Sequence, residues 1–242
     1  MFKRRSFLAA GAAVVLIAAY SFLGAQTAAP GVKILFLGHH SEHHNSAKFE
    51  PMLASALASE GITFTYTEDP ADLNPAKLAQ FDALLIYANH TTIAPEQEKA
   101  LLEYVEGGKA FLPIHCASFC FQNSPAYIAL VGAQFQKHGT GEFTAEIVKP
   151  DHPVMAGLTP FQVWDETYVH TKHNTNRVVL AERRDDQRNE PYTWVREAGQ
   201  GRVFYTAWGH DQRTWSNPQF VALIENGIRW AVGAKQDSSG KP

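Results

Sequence analysis

The chain has 242 residues, 45% hydrophobic and 19% charged, with a formal net charge of −3 at pH 7. It is too apolar to be disordered, and its 15 Phe and 5 Trp can fill the core of one α/β domain without a second. Two cysteines rule out a disulfide scaffold, and the negative balance argues against a nucleic-acid partner.

Lys3, Arg4 and Arg5 precede an uncharged apolar run from Phe7 to Ala25, the layout of an export signal. Arg4-Arg5-Ser6-Phe7-Leu8 fits the twin-arginine pattern, with a Sec-type signal as the alternative. Residues 1–28 are expected to be a signal cleaved after Ala25 or Ala28. An uncleaved anchor is the other reading, because the run approaches the ~20 residues that span a bilayer. Either way, the positive-inside bias places the domain outside the cytoplasm, in a periplasmic or other extracytoplasmic space.

The domain is expected over residues 32–233. Val32–Gly38 reads as a buried parallel strand ended by glycine, and Phe49, Met52, Leu53, Ala56 and Leu57 form the apolar stripe of a helix that stops at Gly61. Residues 62–67 and 81–87 read as the second and third strands. Pro95, Glu96 and Glu98 start a helix that Gly107-Gly108 should stop in a left-handed turn. Lys109–His115 is the fourth strand, and Asn123–Val131 a helix. Shorter strands follow over 143–148, 161–168, 178–181, 192–195 and 202–207, then an amphipathic helix from Phe220 to Val232. The polar tail, 234–242, is expected to be disordered. The rhythm predicts an open, mostly parallel sheet with helices on both faces and added short strands in the C-terminal half.

Eleven histidines are present, and their positions matter more than their number. His39, His40, His43 and His44 follow the first strand, His90 the third, and His115 ends the fourth. In a parallel sheet these positions share the carboxyl edge, where ligands bind. His39-His40-Ser41-Glu42-His43 matches the H-x-x-E-H zinc-protease spacing, but it lies in a strand-to-helix loop rather than on a helix. A looser zinc or iron site, drawing on these histidines with His115 or His210, suits imidazole chemistry better.

Phe111–Ser118 resembles a nucleophile elbow, in which a sharp turn needs small neighbours two positions either side of its apex. Ile114 stands two before Cys116, whereas Pro113 and Ala117 flank His115. Histidine therefore takes the apex, and thiol-hydrolase chemistry at Cys116 is the lesser reading. Cys116 and Cys120 are expected to be paired buried thiols, since a bridge between them would close a small strained loop. Residues 164–174 concentrate Asp165, Glu166, Tyr168, His170 and His173. Gly201–Asp211 forms another strand with a polar end carrying Trp208, His210 and Asp211. His115, Asp165, Glu166 and His210 are the candidate catalytic residues. His39, His43, His44, Tyr168, His170, His173, Trp208 and Asp211 are the candidate substrate contacts.

These segments together resemble the ThuA-like (trehalose-utilisation) family, a branch of the class I glutamine amidotransferase-like, flavodoxin-like α/β fold. The resemblance rests on the histidine-bearing loop after Val32–Gly38, Ile114-His115, His138-Gly139, His152-Pro153, Asp165–Tyr168, and Gly201–Tyr205 leading to Gly209-His210-Asp211. The family's elbow usually has a small residue where this chain has Cys116, so Cys116 does not inherit a nucleophilic role. The resemblance implies action on carbohydrates, with 3-keto-sugars from a partner sugar dehydrogenase as substrates of an isomerase or lyase. A non-catalytic sugar-binding accessory module and a homo-oligomer are also compatible with it.

Overall fold

The computed structural model describes residues 31–186 and 188–233. The predicted signal, 1–28, and tail, 234–242, lie outside the described residues. No described helix is long and apolar enough to cross a membrane.

Among the described residues, eleven strands and six α-helices follow in chain order. The strands are β1 (Val32–Leu37), β2 (Ile62–Thr67), β3 (Ala83–Ile86), β4 (Ala110–Pro113), β5 (Gln134–Lys137), β6 (Thr140–Ile147), β7 (Gln162–Glu166), β8 (Val169–Thr171), β9 (Val178–Arg184), β10 (Asn189–Ala198) and β11 (Gly201–Thr206). The helices are α1 (Ser46–Leu57), α2 (Pro75–Leu78), α3 (Pro95–Glu106), α4 (Pro125–Val131), α5 (Gln212–Trp215) and α6 (Pro218–Val232).

Nine strands form one sheet in the order β2-β1-β3-β4-β11-β10-β9-β6-β7. The first five run parallel, and β10 reverses the direction and begins an antiparallel extension. β5 and β8 pair separately as a short antiparallel ribbon. Helices α1, α5 and α6 form one layer, and α2, α3 and α4 the other.

The parallel strands form because they carry no polar face. Ile34–Leu37 and Ala83–Ile86 are fully buried, as strands covered by helices on both sides must be. Helix starts are capped by side chains. Asn45 accepts from Lys48 N–H, Ser124 from Tyr127 N–H and Asn217 from Gln219 N–H, each replacing a bond the first turn cannot make internally. α3 ends on Gly107 in an ordinary conformation, and Gly108 alone is left-handed at φ 101°. α6 buries Phe220, Leu223, Ile224 and Ile228, each worth roughly 1.5–3 kcal/mol once removed from water. It lies close to β11 because Gly227 has no side chain, and a Cβ there would meet the Phe204 ring at 2.6 Å.

The predicted strand 161–168 is two strands. β7 ends at Glu166, the chain turns with Tyr168 N–H bonded to the Glu166 carbonyl, and β8 leaves to pair with β5. The turn fixes where Glu166 sits.

Candidate functional site

Three carboxyl ends of parallel strands each supply one imidazole. His44 lies in the loop after β1, His115 in the turn after β4, and His210 in the loop after β11. The antiparallel extension supplies Glu166 from the end of β7. Glu166 Oε2 lies 3.5 Å from His44 Nε2 and 3.2 Å from His115 Nε2. Its Oε1 lies 3.0 Å from His210 Nδ1 and 3.5 Å from His138 Nδ1. His44, His115, Glu166 and His210 can each offer one ligand atom, all within 4.8 Å of one another.

Buried polar atoms normally find hydrogen-bond partners. Among the described residues, six buried side-chain atoms make no aligned hydrogen bond, and five of them are here: both ring nitrogens of His44, His115 Nε2, Glu166 Oε2 and His210 Nδ1. One such atom from each of the four residues can share a common centre. His115 is oriented for such a role, since its Nδ1 lies 2.6 Å from the Ala207 carbonyl oxygen and must donate to it. That bond sets the tautomer of the neutral ring and leaves the Nε2 lone pair available as a ligand, as in metal-binding histidines whose other nitrogen is held. Three nitrogens and one oxygen suit zinc or ferrous iron better than magnesium or calcium.

The backbone holds two of these residues under strain. His44 and His115 have φ of 58° and 49°, a region that costs a non-glycine residue roughly 1–3 kcal/mol and collects at functional sites. Gly209 keeps the elbow close to β11, where a Cβ would meet His115 Cβ at 3.1 Å. The Tyr168 ring stacks on the His115 imidazole with centroids 4.2 Å apart.

Titration follows from this packing. Burial lowers His44 to about 4, with Glu166 opposing, and lowers His115 from its ordinary value. Burial would raise Glu166, but the facing His115, His210 and His44 outweigh it and hold the carboxyl well below the usual carboxylate range. Burial would lower His210, but Glu166 outweighs it and raises that imidazole above its ordinary value.

An open cleft of about 730 Å³ leads to the cluster. Its walls include His43, Lys48 and Phe49 on one side and Asp211 and Arg213 on the other, with His44 and His210 at its floor. A family model described as ThuA, trehalose utilisation, matches residues 33–231. The chain belongs to the ThuA family. A ThuA-like protein from Parabacteroides merdae ATCC 43184 superposes with a TM-score of 0.74 at 19% identity, covering 84% of this chain and 90% of that one. Another from Bacteroides uniformis ATCC 8492 gives 0.72 at 19% identity, covering 84% and 91%. A cold-adapted β-galactosidase from Rahnella sp. R3 shares the fold at a TM-score of 0.59 and 14% identity, over 87% of this chain and 32% of its own. No curated protein matches the chain.

Within this ThuA-family site, the candidate residues separate. His44, His115, Glu166 and His210 meet, and His43 and Asp211 line the cleft. Asp211 also caps α5 and pairs with Arg213, whose guanidinium lies 3.9 Å from the Trp164 ring centroid. His39 is buried behind His44, with Nε2 3.1 Å from the His44 carbonyl oxygen. Asp165 faces away from the cleft and is fully buried. It accepts the backbone N–H groups of Glu166, Gly209 and His210 and the Thr214 hydroxyl, so it positions two cluster residues. Burial pushes it up to about 6 against those four donors.

Trp208 is packed between Phe143, Phe161 and Tyr192 in the core, closed to any sugar. His170 is buried against Glu190 and Tyr205, and His173 stands with Arg177, away from the cluster. Cys116 and Cys120 are buried free thiols. Burial pushes Cys116 well above its ordinary value, opposite to what a thiolate nucleophile needs. His138 was not among the candidate contacts drawn from the sequence. Its signal was its place beside Gly139 in the turn between two strands, facing the segment that carries Glu166.

Proposed function

We propose that this ThuA-family chain is an exported enzyme that isomerises or cleaves keto-sugars or keto-glycosides by metal-assisted acid–base chemistry. The observation that carries this reading is the set of five orphaned buried atoms on three histidines and one glutamate, two of which, His44 and His210, line an open cleft. His44, His115 and Glu166 would hold a divalent ion as a two-histidine, one-carboxylate set. Such an ion supplies Lewis-acid stabilisation to a substrate oxygen that gains negative charge. His210 is the most exposed of the four, at 20% of its side chain, and lines the cleft, so it is assigned to move the proton.

A ketone acidifies the hydrogen on its neighbouring carbon. His210 in its neutral form takes that proton, and the bond electrons pass to the ketone oxygen. Where the deprotonated carbon bears a hydroxyl, that hydroxyl's proton passes to the former ketone oxygen and His210 returns its proton to the former carbonyl carbon, which moves the ketone by one position. When a glycosidic oxygen stands one carbon further on, the returning electrons instead expel it, and the proton taken by His210 goes to the leaving alcohol. The raised His210 suits the second half of this cycle, because the imidazolium is a better acid than a water molecule at neutral pH. A sugar dehydrogenase that oxidises a ring hydroxyl would supply such a ketone.

The test is elemental analysis of full-length protein purified from its native compartment, followed by turnover of a 3-keto-glycoside. A bound divalent ion and turnover are expected. His210→Gln should lower kcat/KM by roughly 10²-fold or more while the ion is retained. Glu166→Gln should lose both. Sugar binding without turnover in the metal-loaded protein would replace the enzyme by the binding-module reading.

A further inference from the structure

A second buried ionisable pair, His170 of β8 and Glu190 of β10, joins the β5–β8 ribbon to the extension and takes no part in the proposed reaction. His170 Nδ1 stands 3.0 Å from Glu190 Oε1, which also accepts the His170 backbone N–H at 2.9 Å. Burying such a pair costs desolvation unless its remaining atoms are satisfied. The other ring nitrogen, Nε2, lies 3.0 Å from Tyr205 Oη. That oxygen is 3.0 Å from both the His115 carbonyl oxygen and Ser118 Oγ. Ser118 Oγ itself donates to the His115 carbonyl at 3.0 Å. A chain of hydrogen bonds therefore runs from the Glu190 carboxylate to the backbone of the left-handed elbow.

Counting hydrogens shows what this chain can do. Burial would raise Glu190, but the His170 ring and backbone N–H outweigh it and keep it a carboxylate. The two ends, Glu190 and the His115 carbonyl, are then acceptors only, and Tyr205 has one hydrogen to give. With His170 neutral, Nδ1–H goes to Glu190 and Nε2 accepts the Tyr205 hydroxyl, so the elbow carbonyl keeps Ser118 alone. With His170 doubly protonated, both ring nitrogens donate, and the Tyr205 hydroxyl passes to the His115 carbonyl.

We infer that Glu190, His170 and Tyr205 form a positioning network for His115, in which the proton on His170 decides whether the Tyr205 hydroxyl holds the elbow carbonyl. The groups facing His170 are Glu190 from β10, Tyr205 from β11, and Arg177 and His173 from the segment between β8 and β9. Burial lowers His170, Arg177 and His173 add to it, and Glu190 opposes, so the change falls on the acid side of its ordinary value of 6.5. The bearing of the network on turnover rests on the proposed reaction. The network itself does not, because every bond in it is independent of metal and substrate.

The measurement uses the full chain without added metal. The His115 carbonyl carbon is followed by NMR through the Cys116 amide, and the His170 ring nitrogens are followed directly, from neutral to mildly acidic pH. Wild type should show a downfield step of the His115 carbonyl at the His170 midpoint. Tyr205→Phe should abolish that step while His170 still titrates, and Glu190→Gln should move both midpoints further to the acid side. A carbonyl that ignores the His170 midpoint, a step that survives in Tyr205→Phe, or a His170 that stays neutral until the protein unfolds would each overturn the inference. Lack of metal or of turnover would sink the proposed reaction and leave this result standing.

Discussion

The parallel half of the sheet and its antiparallel extension are held together in different ways. β3 and β4 are buried along their length and β1 from Ile34 to Leu37, and they pack as apolar strands between the helical layers. The extension is only partly buried along β6 and β7, and it holds buried polar groups such as Asp165, Glu166 and Glu190 inside hydrogen-bond networks. The half with few polar groups supplies the site's three imidazoles from its strand ends, and the other supplies the carboxylate. The chemistry therefore sits on the seam, and the seam depends on few atoms.

The largest expected effect comes from cutting that seam. Asp165→Ala removes the acceptor for three backbone N–H groups and the Thr214 hydroxyl. Leaving these buried donors unpaired should cost about 3 kcal/mol, seen as a lower urea midpoint, and should free the His210 loop. Asp211→Ala, which removes the cap of α5 and an exposed pairing with Arg213, should cost about 1 kcal/mol, nearly all from the cap. Equal losses would mean that the two halves are not joined at Asp165.

A smaller effect should appear with pH. His210 is raised in the folded protein by Glu166, so the pair's contribution is full below the ordinary histidine value of 6.5 and is lost as pH rises through the higher folded value. The difference in melting temperature between wild type and His210→Gln, measured without metal, should therefore shrink from mildly acidic to alkaline pH. A difference that grows instead would reverse the assignment of this pair. The smallest effect is expected at Cys116. Iodoacetamide should leave the native thiol unmodified, because it is 1% exposed and burial disfavours the thiolate. Rapid labelling would return thiol chemistry to the elbow.

What was legible in the sequence follows the same division. The parallel strands announce themselves as unbroken apolar runs, and Pro95 marked the start of α3 correctly. The elbow apex at His115 was legible from its small neighbours, Pro113 and Ala117. Residues 161–168 read as one strand because nothing in Asp165-Glu166-Thr167-Tyr168 is a strong turn former, and the break depends on pairing with β5 and β6, which lie elsewhere in the chain. Without that break, Asp165 and Glu166 look interchangeable, and His170 and His173 look like neighbours of the cleft. Trp208 misled for a related reason. An aromatic residue at a strand end can face a ligand or the core, and here Phe143 and Phe161 from the extension cover it.

The left-handed backbone at His44 makes its imidazole a removable part. Most side chains would inherit the strain at φ 58°, whereas glycine adopts that conformation freely, so His44→Gly relaxes the loop as it empties one wall of the cluster. His44 borders the open cleft, and a small aromatic base added to the solution can reach the gap. This position therefore lends itself to chemical rescue, with free imidazole standing in for a ring that the chain no longer carries.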